Sequence, residues 1–125
     1  IAICSALIVG LFGSVGASAD QTTICSGATT AGAGTAPNAG TAGTHYMVTA
    51  ISPKCSANVH LLGEDGTSGA WYAVGAVSVK GKSSWKGHTN GGSVQMNAAC
   101  AIPGGCTSGE ATTARDAANT AAGSS

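Results

Sequence analysis

The sequence has few charged and few aromatic residues. Charged side chains make up 8% of its 125 residues, aromatic side chains make up 4%, and the formal net charge is zero. A neutral chain lacks the basic field that attracts a nucleic-acid backbone, and this chain has no basic cluster for anionic lipid headgroups. We therefore expect no nucleic-acid partner, and we expect no membrane contact through charge.

Bulky apolar side chains are also scarce beyond the first 20 residues, whereas glycine occurs 20 times. The length allows one domain at most. A small domain of this composition buries little apolar area, at roughly 25 cal/mol per Å². We therefore expect it to need crosslinks, partners or assembly for stability.

The N-terminal segment is the one long apolar stretch. Residues 1–15 carry no charge, and small residues follow up to Ala19. This pattern is typical of a secretory signal peptide with cleavage after Ala19. The alternative is that residues 1–19 are retained as a membrane anchor or as an apolar arm inserted into a neighbouring subunit, although the run is shorter than the roughly 20 residues of a full span. Cys4, within this run, is interpreted as a small hydrophobe.

The segments on either side of the central part are of low complexity. Residues 20–44 are dominated by Gly, Ala, Thr, Pro and Asn, and we predict a flexible tether, or alternatively an O-glycosylated stalk. In the tail 107–125, alanine permits a weak helix from about Gly109 to Ala122. Because that helix would have no Leu or Ile stripe to dock it, we predict a frayed Ala/Thr-rich tail.

The central segment 45–106 is predicted to be a small β domain. Strands are predicted over 45–51, 55–62, 71–80 and 93–99, with a polar loop over 81–92. In the last strand Val94, Met96 and Ala98 alternate with polar residues, which predicts one buried face. The fold class is mostly β, a small antiparallel sheet or sandwich with disulfides, an apolar N-terminal segment and flexible flanks.

Four cysteines remain when Cys4 is set aside: Cys25, Cys55, Cys100 and Cys106. An even number in a small exported domain indicates two disulfides, and four cysteines allow three pairings. A Cys100–Cys106 bond is favoured by the tight turn between the two residues, and Cys25–Cys55 would then attach the tether to the sheet. The rival pairing is Cys55–Cys100 with Cys25–Cys106, which would crosslink the sheet itself.

No arrangement of residues indicates catalysis or cofactor binding. His45, His60 and His88 have no metal-ligand spacing, and there is no Cys-x-x-Cys motif. Glu64 and Asp65 are adjacent in a predicted turn, where their side chains point apart instead of flanking a substrate. No Gly-x-Ser-x-Gly elbow occurs. We predict a non-enzyme with no catalytic residues, no cofactor and no metal.

Trp85 is the candidate contact residue. It lies between Lys82 and Lys86 in the predicted polar loop, where an exposed tryptophan between lysines would contact a partner or an anionic glycan. Trp71 and Tyr72, in contrast, are expected to fill the core.

The central hairpin resembles the mycobacterial 19-kDa lipoprotein-antigen family. The similarity lies in Tyr72-x-Val74 with Gly81, in Val94-x-Met96 leading to Cys100, and in Cys55-Ser56-Ala57-Asn58-Val59, and it covers about a third of the chain. This chain lacks a lipid-modified cysteine at the end of its apolar segment and continues well past Cys100. The resemblance implies an envelope-surface β domain without catalysis, and it favours the Cys55–Cys100 pairing.

Together these features predict an exported, non-enzymatic bacterial cell-envelope or extracellular protein with a structural or adhesive role. Its partners would be other proteins or copies of itself, or a glycan. The first alternative is a pilin-like subunit of an extracellular filament that uses the apolar N-terminus for assembly. The second is a small secreted hydrolase or ligand-binding protein.

Overall fold

The computed structural model describes residues 20–102 and 104–124. The signal-peptide and anchor interpretations of residues 1–19, and Cys4, lie outside the described residues. In the part described, a five-stranded antiparallel sheet has the strand order β1-β4-β5-β6-β7, and one helix packs on it. The strands are β1 (Gln21–Ser26), β4 (Val59–Asp65), β5 (Tyr72–Ser78), β6 (Ser83–His88) and β7 (Gln95–Ala99), and the helix α1 is Ser108–Gly123. A second, two-stranded antiparallel sheet joins β2 (Gly32–Ala33) to β3 (Lys54–Cys55). The predicted fold class, a mostly β protein with a small antiparallel sheet and disulfides, is confirmed.

The prediction of flexible flanks is wrong for the first part of the tether. Residues Gln21–Ser26 form β1 and pair with β4 at one edge of the sheet. The register shifts between Thr23 and Cys25, so two consecutive residues, Ile24 and Cys25, are both buried. Such a bulge interrupts the alternation of buried and exposed residues from which a strand is recognised in a sequence. The strand also lies in a segment, 20–44, whose composition is mostly small and polar.

The prediction of a frayed tail is also wrong, because α1 docks without large side chains. Its buried residues are mainly alanines, at positions 111, 114, 118 and 122. The Ala111 and Ala114 turn of the helix lies against Gly75 in the middle of β5, where an added Cβ would overlap the α1 backbone at Ala111 and Arg115. The helix therefore approaches the strand so closely that methyl groups fill the interface.

The start of α1 is stabilised by a capping box. The Thr107 hydroxyl accepts a hydrogen bond from the Glu110 backbone N–H, and the Glu110 carboxylate accepts one from the Thr107 N–H. The same carboxylate also accepts a hydrogen bond from the Ala101 N–H at 2.6 Å. These bonds, Ala101 first, lower the pKa of Glu110.

Two of the predicted local structures are wrong. Residues 45–51 form no strand, and Val48 and Ile51 are exposed, because no neighbouring strand pairs with them beyond a single bridge between Ala39 and Met47. Conversely, the predicted loop 81–92 contains β6, which hydrogen bonds to β5 and β7 on its two sides. Tertiary pairing, not local β propensity, decides both cases.

The predicted strand 93–99 is present as β7, but its predicted buried face is not. Val94 and Met96 are 68% and 56% exposed. The strand lies at the second edge of the sheet, and the described residues place no covering element over Met96. The alternation of apolar and polar residues in β7 therefore corresponds to an apolar face that is exposed to solvent in the single chain.

The four cysteines form Cys25–Cys55 and Cys100–Cys106. The pairing Cys55–Cys100, which the family resemblance implies, is wrong for this structure. Cys25–Cys55 joins β1 to β3 and so attaches the segment 27–58 to the sheet. Cys100–Cys106 closes the short loop between β7 and α1.

Candidate functional site

The two faces of the sheet carry different groups. On the face that α1 covers, Leu62, Val77, Cys106 and Ala111 form one apolar cluster. On the opposite face, Ile24, Cys25 and Tyr72 form a second cluster, against which Met47 and Cys55 pack. The segment 27–58 therefore covers the β1–β4 side of this face, while the β5–β7 side contains exposed apolar groups.

Those exposed groups form a patch that we call the Trp85 face: Ala76, Trp85, Val94 and Met96. Trp85 pairs with Ala76 on one side and with Met96 on the other, so their side chains share one face of the sheet. Trp85 is 47% exposed. Val94 lies over Gly87, the next residue of β6 on that face.

A groove of about 370 Å³ runs beside Trp85. Its lining includes Val59, Ala76 and Ser78 together with the Lys82 side of the β5–β6 turn. An indole next to hydroxyl and ammonium groups is suited to stacking on a sugar ring or to anchoring a protein side chain.

The structure brings together only two of the three predicted contact residues. Lys82 and Trp85 line the same groove. Lys86 pairs with Gly75, which places it on the other face of β6, where it lines a small cavity with His88 and Ala121. In a strand, neighbouring residues point to opposite faces, so Lys86 is separated from the indole of Trp85.

Trp71 is half-buried and Tyr72 is buried, and they lie on opposite faces of the sheet. The Trp71 indole N–H donates to Asn119 in α1 at 2.6 Å, and its ring lies over Gly66. Tyr72 is 4% exposed and packs over Gly63. Burial first, and the nearby carboxylate of Asp65 second, raise the pKa of Tyr72 to about 12. Its hydroxyl has no hydrogen bond of normal geometry among the described residues, and the neighbouring Thr22 hydroxyl opposes the pKa shift only in part.

Charged residues meet at two places near one end of β4. Glu64, on the helix face, lies 3.3 Å from the Arg115 guanidinium, which also contacts Asp116 at 2.7 Å. Asp65, on the opposite face, lies near Asp20 and His45, and the ligand atoms of these three residues are all within 4.8 Å of one another. Adjacent Glu64 and Asp65 point apart, as the sequence predicts, but the predicted turn is wrong: both lie at the end of β4, where pairing with β5 extends the strand. Each also has partners that are distant in the chain.

The Asp20–His45–Asp65 cluster was missed in the sequence because its members are 20 to 45 positions apart. The His45 Nε2 lies 2.5 Å from the Asp20 Oδ2, which also accepts a hydrogen bond from the Asn38 amide at 3.2 Å. These two contacts, that of His45 first, lower the pKa of Asp20. Asp65 accepts a hydrogen bond from the Tyr46 N–H at 2.8 Å.

A second group of metal-ligating residue types, Cys100, Cys106 and Glu110, is not a metal centre in this structure. Its two sulfurs are bonded to each other. A disulfide has no thiolate to offer to a metal ion.

Comparison with known proteins finds no matching family model, no matching curated protein and no matching solved structure. Among the described residues, α1 is too polar and too short to span a bilayer, and no other helix has the length or apolarity to do so.

Proposed function

We propose that this chain is an exported, non-enzymatic protein of the bacterial cell envelope or extracellular space, with a structural or adhesive role. The observation that carries the proposal is the pair of disulfides, Cys25–Cys55 and Cys100–Cys106. Disulfides persist in oxidising compartments and are rare in the cytosol. They also supply crosslinks to a domain whose helix packs on the sheet mainly through alanines.

The position of Asp20 supports export with cleavage after Ala19. The Asp20 carbonyl accepts a hydrogen bond from the Asp65 N–H at 2.9 Å, so the first residue after the proposed cleavage site already bonds to the end of β4. Cleavage there would leave the whole of β1 in the mature protein.

Intact-mass measurement with N-terminal sequencing under non-reducing conditions tests this proposal. We expect a mature chain that begins at Asp20 and has lost four hydrogens through two disulfides. A chain recovered from the cytosol with free Cys25, Cys55, Cys100 and Cys106 would contradict it.

The Trp85 face supplies the proposed contact surface for another protein or an anionic glycan. Trp85→Ser and Lys82→Ala should weaken binding of an anionic polysaccharide, measured by isothermal titration calorimetry, whereas the matched change Lys54→Ala should not. Equal binding by all three variants would remove the face from the proposal.

A filament subunit is the second candidate, and the open Trp85 face beside the edge strand β7 favours it. Exposed apolar edges pair readily with other chains. Sedimentation of the natural product distinguishes the two candidates: a discrete monomer that begins at Asp20 excludes the filament, and a polymer that retains Ile1 excludes the cleaved form.

A further inference from the structure

The cluster of Asp20, His45 and Asp65 joins three separate parts of the chain. Asp20 precedes β1, His45 ends a turn in which its N–H donates to the Thr41 carbonyl at 2.9 Å, and Asp65 ends β4. Gly69, at φ +70°, lies so close to the His45 backbone that an added Cβ would be 2.8 Å from the His45 oxygen. The turn after β4 therefore holds His45 in place from its other side.

Asp65 is a buried carboxylate without a counter-ion. It is 1% exposed and forms no ion pair among the described residues. Arg115 lies on the helix face, where it contacts Glu64 and Asp116. Its one hydrogen bond to a described residue comes from the Tyr46 N–H. Burial of a carboxylate costs free energy unless a positive charge or further hydrogen bonds compensate for it.

The His45 imidazole also has a ring nitrogen without a hydrogen-bond partner among the described residues. The His45 side chain is 12% exposed, and this nitrogen, Nδ1, is buried. A buried ring nitrogen without a partner is unfavourable. The buried carboxylate and the unpartnered nitrogen are independent features. A cation between these side chains would compensate the carboxylate charge, and it would also give Nδ1 a partner if the imidazole binds through that atom.

We propose that Asp20, His45 and Asp65 bind one divalent transition-metal ion, with zinc the best fit. Imidazole nitrogen and carboxylate oxygen are both Zn²⁺ ligands, and one imidazole with two carboxylates and a water gives the four ligands of a tetrahedral site, whereas Ca²⁺ prefers oxygen ligands alone. In a tetrahedral site with bonds of about 2.0–2.1 Å, ligand atoms are about 3.3 Å apart. The 2.5 Å separation of His45 Nε2 and Asp20 Oδ2 must therefore widen by less than about 1 Å if that nitrogen is the ligand.

Calorimetric titration of the full chain with ZnCl₂ tests the site. The protein is expressed for export without a polyhistidine tag and titrated at pH 7.5. We expect one Zn²⁺ per chain, and at least about tenfold weaker binding for His45→Gln and for Asp20→Asn. Asp20 is partly exposed, so Asp20→Asn leaves the fold least disturbed, and circular dichroism verifies that both variants are folded.

His88→Gln is the matched control, because His88 lies in β6 outside the cluster. It should bind Zn²⁺ as the unchanged protein does. Absence of Zn²⁺ binding by the unchanged protein would overturn the site, and so would cluster variants that bind Zn²⁺ with the affinity of the unchanged protein. Binding of CaCl₂ that is insensitive to His45→Gln would equally overturn the proposal, since it would remove the imidazole from the ligand set. None of these outcomes depends on the Trp85 face.

Discussion

The two faces of the sheet are covered in different ways. On one face α1 lies directly on β5, and the interface consists of small residues such as Gly75, Ala111 and Ala114. On the other face the irregular segment 27–58 covers β1 and β4 through Met47 and Cys55, and the Trp85 face remains open. The helix face combines close fit with the short-loop disulfide Cys100–Cys106, whereas the opposite face has an irregular segment held by the long-range disulfide Cys25–Cys55.

This contrast shows how a chain with few large side chains can form an ordered interior. Close approach of two backbones gains many dispersion contacts without large residues, because each methyl group fills the available space. An irregular segment cannot approach a strand evenly along its length, and its ordering costs conformational entropy. A crosslink reduces that cost by restricting the unfolded chain.

Removal of a disulfide should cause the largest loss in free energy of unfolding, and the two disulfides should differ in this loss. Cys25–Cys55 spans 30 residues and Cys100–Cys106 spans 6. On the chain-entropy relation, removing the first should cost about 3.6 kcal/mol and removing the second about 2.2 kcal/mol. Denaturant unfolding of Cys25→Ala/Cys55→Ala and Cys100→Ala/Cys106→Ala measures the difference. A larger loss from the second pair would contradict the view that the opposite face depends on its crosslink.

Gly75→Ala should destabilise the helix face by about 2–3 kcal/mol, because the new methyl group overlaps the α1 backbone and forces the two elements apart. Gly32→Ala is the matched control: Gly32 also lies in a strand, but an added Cβ there has no neighbour within 4 Å. Thermal unfolding monitored by far-ultraviolet circular dichroism compares the two variants. If they melt together, the close approach of α1 to β5 is wrong.

Tyr72 should make the opposite face sensitive to alkaline pH. Folding raises its pKa from 10.0 to about 12, so the folded state favours the neutral phenol. This stabilisation is complete below pH 10 and is lost as the pH rises through 12. We expect Tyr72→Phe to have nearly the same free energy of unfolding as the unchanged protein at pH 7. Between pH 10 and pH 12 the unchanged protein should lose about 1–2 kcal/mol of that free energy, and Tyr72→Phe should not.

The control for this experiment is Tyr46→Phe, since Tyr46 is 41% exposed. It should follow the unchanged protein at every pH. If the free energy of unfolding falls equally with rising pH in Tyr72→Phe and in the unchanged protein, the buried phenol is not the cause of the alkaline destabilisation.

The smallest effect is expected from Trp85→Ser. With half of its surface exposed, Trp85 should contribute less than about 0.5 kcal/mol to the free energy of unfolding. Trp71→Phe is the counterpart on the helix face and should cost more, about 1 kcal/mol, because it removes the hydrogen bond to Asn119. Denaturant curves for the two variants compare the tryptophans, and a greater loss from Trp85→Ser would show that the Trp85 face is part of the core.

Some features that the sequence analysis missed had visible signals. Thr107-Ser108-Gly109-Glu110 is a capping-box sequence, which predicts that a helix begins there. Gly75, inside an otherwise apolar strand, is typical of a place where another backbone comes close. Together they would have favoured a docked helix over a frayed tail.

The sequence by itself determined the mostly β class and the presence of two disulfides, because alternation and cysteine number are local properties that can be counted along the chain. Only the tertiary structure decided which cysteines pair, that Gln21–Ser26 and Ser83–His88 are strands, and that Asp20, His45 and Asp65 meet. The physical reason is the same in each case: the stabilising partner is distant in sequence. A strand that lacks a hydrophobic pattern forms only when the fold brings a pairing strand to it. Likewise, a carboxylate joins a cluster only when the fold brings the other members within contact distance.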